Sequence, residues 1–140
     1  MNPYLKTLTS KILLMFCLYN YGFSGQNDQF YIKEHLVIDL YTATEWMRCS
    51  VGQRWNSETC NGQIVNLNHD QMDEVIKMAV EQLGAGWRLP TRKELESLVC
   101  KDCGIPKIDK NIFPNTDPVP YWTGEKNKYA KRHYWSVNFY

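Results

Sequence analysis

The sequence has no long hydrophobic run. The longest, "ILLMFCL" at 12–18, is too short to cross a bilayer of roughly 30 Å as a helix. It has no charge excess either: 16 Lys+Arg face 15 Asp+Glu, a net of +1, which removes the bulk electrostatic case for nucleic acid. No G-x-S-x-G nucleophile motif occurs. The three histidines, His35, His69 and His133, are scattered, so no paired acid and base stands out and catalysis is the second class of function to consider. Neither a Glu-Pro-Asn nor a Trp-Asn-Asp triplet occurs, as a calcium-dependent sugar site would want. Asn111, Asn115 and Asp117 could supply oxygens, but the prolines among them read as a turn.

What is present is a chain of 140 residues, 44% hydrophobic and 14% aromatic, enough to pack one domain rather than remain disordered. Its first residues differ from the rest. "MNPYLKTLTSK" carries two lysines and no acid, the apolar run follows, and Gly22 and Ser24 stand at −3 and −1 of a cleavage before Gly25. Residues 1–24 therefore read as a secretory signal peptide. An N-terminal anchor or a buried helix is the alternative. A lipidated Cys17 is disfavoured by the bulky Phe16 before it. After cleavage no stable membrane span is expected, and localisation would be secreted, periplasmic or at the cell surface. Lys6 and Lys11 leave with the leader, so 16 basic residues fall to 14 against 15 acidic ones.

Cys49, Cys60, Cys100 and Cys103 remain, an even number in an exported domain, which points to two disulfides with three pairings open. Local pairing, 49–60 with 100–103, is expected. Gly52, Asn56 and Ser57 turn the first loop easily, and closing a loop of that size is worth about 3 kcal/mol. Cys100-Lys-Asp-Cys103 could also be a redox pair. It follows a helix, however, at the end where the dipole opposes a thiolate. A zinc site would need all four sulfurs to converge. No metal or other cofactor is expected.

Residues 25–36 read as a polar lead-in and 37–140 as the domain. "HLVIDLY" (35–41) and "TEWMRC" (44–49) read as strands, 50–62 as a stapled loop, and "QIVNL" (63–67) as a strand or an extended link. "NHDQMDEVIKMAVEQLG" (68–84) is a helix capped by Asn68 with Gln71 three residues on. Met72, Val75, Ile76, Ala79 and Leu83 form its apolar stripe, and Gly84 stops it. In "WRLPTRKELESLV", Pro90 keeps Leu89 extended, Thr91 caps a second helix, and Glu94 completes the capping box. Trp87 and Leu89 then turn inward and Arg88 outward. Arg88 would pair with a carboxylate or a carbonyl, or else bind a ligand. Residues 103–120 form a long loop pinned by Ile108, Ile112 and Phe113. "YWTG" (121–124) and "HYWSVNFY" (133–140) are strands, the latter with Trp135, Val137 and Phe139 on one face.

In order along the chain, "WMRCSVGQRWNSETCNG", "GWRLPTRKELESLV", "IFPNTDPVPYWTG" and "HYWSVNF" resemble the Lcl C-terminal domain family, a bacterial module named from the end of a collagen-like surface adhesin. The likeness covers about residues 37–140. "HDQMDEV" stands where that family often has a Trp-Ala pair, and a final glycine-rich turn and strand are expected beyond Tyr140. The "RLPT" segment is also similar to formylglycine-generating enzymes. The resemblance implies an α+β, compact C-type-lectin-like domain, with two helices packed on small antiparallel sheets and long loops. It also implies a binding module of adhesin type for an extracellular, sulfated polysaccharide or a surface protein.

The residues with the means to do so are Lys126, Lys128, Tyr129, Lys131, Arg132 and His133, cations and rings with no acid among them. A solvated hairpin loop is the competing reading. A homo-oligomeric structural module remains a further alternative, using Trp46, Trp55, Trp122 and Tyr140 as subunit contacts.

Overall fold

The computed structural model describes residues 28–140, so the expected leader, 1–24, and the first residues of the lead-in lie outside the described residues. The domain is α+β. Strands β1 (Phe30–Lys33), β2 (Leu36–Asp39) and β3 (Thr44–Met47) form an antiparallel meander. Glu34 and Ala43 take left-handed conformations in its two turns (φ 52° and 54°). Val37 lies opposite Ile32 on one side and Trp46 on the other, and is fully buried. The lead-in is therefore not featureless. Phe30 pairs with Asp39 and packs its edge on Phe113, at 6.2 Å between ring centroids.

The segment after β3 is closed by the Cys49–Cys60 disulfide, with 5.4 Å between Cα atoms. Inside it, β4 (Arg54–Trp55) and β5 (Cys60–Asn61) pair around a turn in which Asn56 Oδ1 accepts the N–H groups of Glu58 and Thr59. Residues 63–67, for which a strand was one expectation, run as a link without ladder pairing.

Helix α1 (His69–Leu83) begins with the expected reciprocal cap. Asn68 Oδ1 accepts the Gln71 N–H at 3.0 Å, and Gln71 Oε1 accepts the Asn68 N–H at 2.9 Å. Met72 is buried, Val75, Ile76 and Ala79 are half-buried, and Leu83 is exposed, so the expected stripe fades in the last turn. Helix α2 (Arg92–Ser97) follows its own box at Thr91 and Glu94. It delivers Leu95, and its C-terminal neighbour Leu98, to the core.

The 103–120 loop supplies Ile108, Ile112 and Phe113 to the same core, as expected. Strands β6 (Pro120–Lys126) and β7 (Tyr134–Asn138) make the last hairpin, with Tyr121 opposite Val137 and Lys126 opposite Tyr134. Val137 and Phe139 are buried, the half-buried Trp135 continues their face, and Ser136 and Asn138 face outward. A half-open cavity of about 260 Å³ separates this core from the 64–67 link, bounded by Trp46, Met72, Leu98 and Tyr121 among others.

Candidate functional site

The β6–β7 hairpin is held from both sides. On one face Tyr134 stacks on His69 at the start of α1, with ring centroids 3.2 Å apart and planes 11° apart. Trp122 meets the same imidazole edge-on at 5.8 Å. Trp122 Nε1 also donates to the Leu67 carbonyl at 2.8 Å, tying β6 to the residue before the α1 cap. On the other face Val137 and Phe139 join Leu95 and Leu98 in the core.

The open end of this face is closed by α2. The Arg92 guanidinium lies 4.5 Å over the Trp135 ring, and the Arg92 N–H donates to Glu125 Oε2. Within the hairpin, buried Thr123 donates its hydroxyl to the Trp135 carbonyl. The Gly124 N–H donates to the Pro90 carbonyl, joining the "WRLP" and "YWTG" segments.

Beyond this frame the chain turns at 127–133. Asn127 organises the turn: its Oδ1 accepts the Tyr129 and Ala130 N–H groups, and its N–H donates to the His133 carbonyl at 2.7 Å. Lys126 ends β6 with its Nζ 5.9 Å from the Tyr134 ring centroid. Lys128, Lys131, Arg132 and His133 are exposed, and Tyr129 is 94% exposed at the tip. Among the described residues, the ion pairs are Arg88–Glu94 and Arg92–Glu96, so none of the loop cations is neutralised by a carboxylate. The structure thus brings all six expected site residues into one hairpin end.

The other motif residues have structural work. Arg88 forks onto Glu94, with Nη1 to Oε2 at 2.8 Å and Nη2 to Oε1 at 2.7 Å, and Nη1 also reaches the Leu89 carbonyl. Glu94 in turn accepts the Thr91 N–H at 2.7 Å. The guanidinium and these backbone contacts hold the Glu94 carboxyl at about 2, well below its ordinary 4.5. Arg88 therefore extends the capping box, while Trp87 and Leu89 are half-buried. The four cysteines form Cys49–Cys60 and Cys100–Cys103, the local pairing. Every cysteine among the described residues is therefore in a disulfide.

Three of the four aromatics named as subunit contacts also make contacts within the chain. Trp46 packs against the core, Trp55 lies under Arg48, and Trp122 is tied to Leu67. Tyr140 alone of the four is exposed.

Arg48 lies within the "WMRCSVGQRWNSETCNG" stretch without an expected role, yet it joins distant parts of the chain. The residue is only 7% exposed and has no carboxylate partner among the described residues. Nε donates to the Ile112 carbonyl at 2.8 Å, Nη1 to Glu34 at 2.8 Å and Nη2 to Asn111 at 2.9 Å, with the guanidinium 4.3 Å over Trp55. Burial pushes its pKa down. It pins the long loop to the first turn of the meander.

Among the described residues no helix is long and apolar enough to cross a membrane, and the two disulfides indicate an oxidising compartment. Comparison with curated proteins gave no match, and none of the solved structures matched. The family model described as the Lcl C-terminal domain matches residues 35–140, and the chain belongs to that family.

Proposed function

We propose that this chain is an exported binding module of adhesin type that holds an anionic, sulfated polysaccharide on the 126–133 hairpin end, on a C-type-lectin-like scaffold. The observation that carries the reading is the combination of charge and exposure. Lys126, Lys128, Lys131 and Arg132 stand around a tip tyrosine on a turn that nothing covers among the described residues, and no carboxylate pairs with them.

A linear polyanion suits this surface for physical reasons. Sulfates and carboxylates accept from ammonium and guanidinium groups, and the exposed Tyr129 ring offers a face to a sugar ring. Binding to a turn already held by its own hydrogen bonds loses less entropy than ordering an open loop would, and Asn127 holds this one. The leader-like residues 1–24 support export, and the disulfides agree with it. The scaffold reading is supported by two helices on small antiparallel sheets and by a long loop strapped near its start by Cys100–Cys103.

The test is retention on heparin resin. Wild type is expected to elute late and to lose retention steeply with added salt. Lys128→Glu with Lys131→Glu is expected to abolish retention while leaving the unfolding midpoint unchanged. Equal retention of the double variant would reject this site.

A further inference from the structure

A second surface, sharing no residue with the hairpin end, has the chemistry of a different ligand. The 103–120 loop faces Gln53 and residues 60–64 across an open hollow of about 960 Å³. From this geometry we infer that the hollow is a subsite for an uncharged, polyhydroxylated ligand, a neutral saccharide unit, gripped by the side chains of Asn61, Gln63 and Asp117.

The walls are fixed before any ligand arrives. Asn115 sits in the left-handed region (φ 55°) and donates Nδ2 to the Cys60 carbonyl at 2.7 Å and to Thr59 Oγ1 at 3.2 Å. Gln53 Nε2 donates back to the Asn115 carbonyl at 3.0 Å, and the Cys49–Cys60 bridge anchors the same strand covalently. Asp117 is clamped through its backbone: its N–H donates to the Tyr121 hydroxyl and its carbonyl accepts from Val119. Adjacent Pro118 and buried Pro106 stiffen opposite sides.

While Gln53 and Asn115 spend their amides on this frame, the side chains of Asn61, Gln63 and Asp117 form no hydrogen bond within the described residues. Two amides offer paired donors and acceptors, and a carboxylate offers acceptors alone. That set matches neighbouring hydroxyls, which both donate and accept. Ile105, 53% exposed, and the prolines supply apolar faces for the C–H side of a sugar ring.

Other ligand classes fit less well. A polyanion meets the Asp117 charge and finds one cation, Lys110, whose Nζ already donates to the Ile105 carbonyl at 3.0 Å. A metal ion finds a single carboxylate, and no cluster of three or more His, Cys, Asp or Glu exists among the described residues. A neutral sugar asks for no net charge. Its hydrogen bonds would go to side chains carried on a frame that Asn115 and Gln53 already hold, which confines the ordering cost to those side chains. The preceding proposal uses positive charge; this one does not depend on it.

The experiment is a titration of the isotope-labelled chain, followed through backbone and side-chain amide resonances. The probes are maltose, cellobiose, lactose, mannobiose and diacetylchitobiose at millimolar concentration, with a heparin tetrasaccharide alongside. Expected are saturable shifts of the Asn61 and Gln63 side-chain amides with at least one neutral disaccharide. In Asn61→Ala with Gln63→Ala, affinity should fall about tenfold or more, since each neutral hydrogen bond is worth several-fold. Asp117→Asn, which keeps the clamped backbone, should weaken the same ligand. Heparin-induced shifts at 126–133 should survive in all these variants. If none of the neutral probes moves the hollow's resonances, if the shifts persist in the double variant, or if heparin alone perturbs them, the inference fails.

Discussion

Replacing Arg48 by methionine keeps most of the side-chain volume and removes every donor. The Ile112 carbonyl it serves is buried, so leaving it unpaired costs about 1–3 kcal/mol. The Glu34 and Asn111 carbonyls are part-buried, and water can partly replace the guanidinium there, so each adds about 0.5–1 kcal/mol. Loss of the contact over Trp55 adds about 0.5–1 kcal/mol. Against this, the variant no longer desolvates a charge. The expected net loss is about 3 kcal/mol, a large share of the 5–15 kcal/mol typical of a domain. It should lower the midpoint by roughly 10–15 °C.

The assay is thermal and urea unfolding of Arg48→Met with both disulfides intact, followed by tryptophan fluorescence. Arg48→Lys should fall between the two, since one ammonium cannot span three carbonyls on a planar fork. A loss below about 1 kcal/mol for methionine, or full rescue by lysine, would refute the idea that this buried fork joins the long loop to the meander.

Three further outcomes follow. Glu94 has its carboxyl depressed to about 2, so its contribution is present above its ordinary value of 4.5 and is lost as pH falls toward 2. Arg88 is more than half exposed, which screens the pair, so Glu94→Gln should cost about 1–2 kcal/mol at pH 7 and nothing near pH 2, read by urea unfolding at each pH. Thr91→Ala should cost about 1 kcal/mol by the same measurement, the usual worth of a threonine cap. Cys49→Ser with Cys60→Ser should cost about 3 kcal/mol, and thiol titration of the unfolded, unreduced mature wild type should find no free sulfhydryl.

Both helices were legible in the sequence because their starts are local devices. Asn68 with Gln71 and Thr91 with Glu94 each satisfy their own first turn within four residues, and the disulfide pairings are local in the same way. The alternation in 133–140 was legible because a half-buried strand shows a period of two. The β1 strand was not, since "FYIK" has no alternation and its partner β2 is what makes it a strand. Leu83 followed the helical period but lies exposed, because periodicity gives a face without saying how far the neighbouring layer extends.

In the candidate site, the charge and rings of 126–133 could be read directly. The frame that holds them could not: His69 on Tyr134 and Arg92 on Trp135 join residues far apart in sequence. Arg48 is the extreme case. Its partners are backbone carbonyls up to 64 residues away, and every residue type carries one.

The most direct measurement of the central claim is an amide shift map of the folded domain with a heparin tetrasaccharide at low salt. Perturbations concentrated at 126–134, and erased by Lys128→Glu with Lys131→Glu, are expected. Perturbations centred elsewhere on the domain, or none at all, would contradict it.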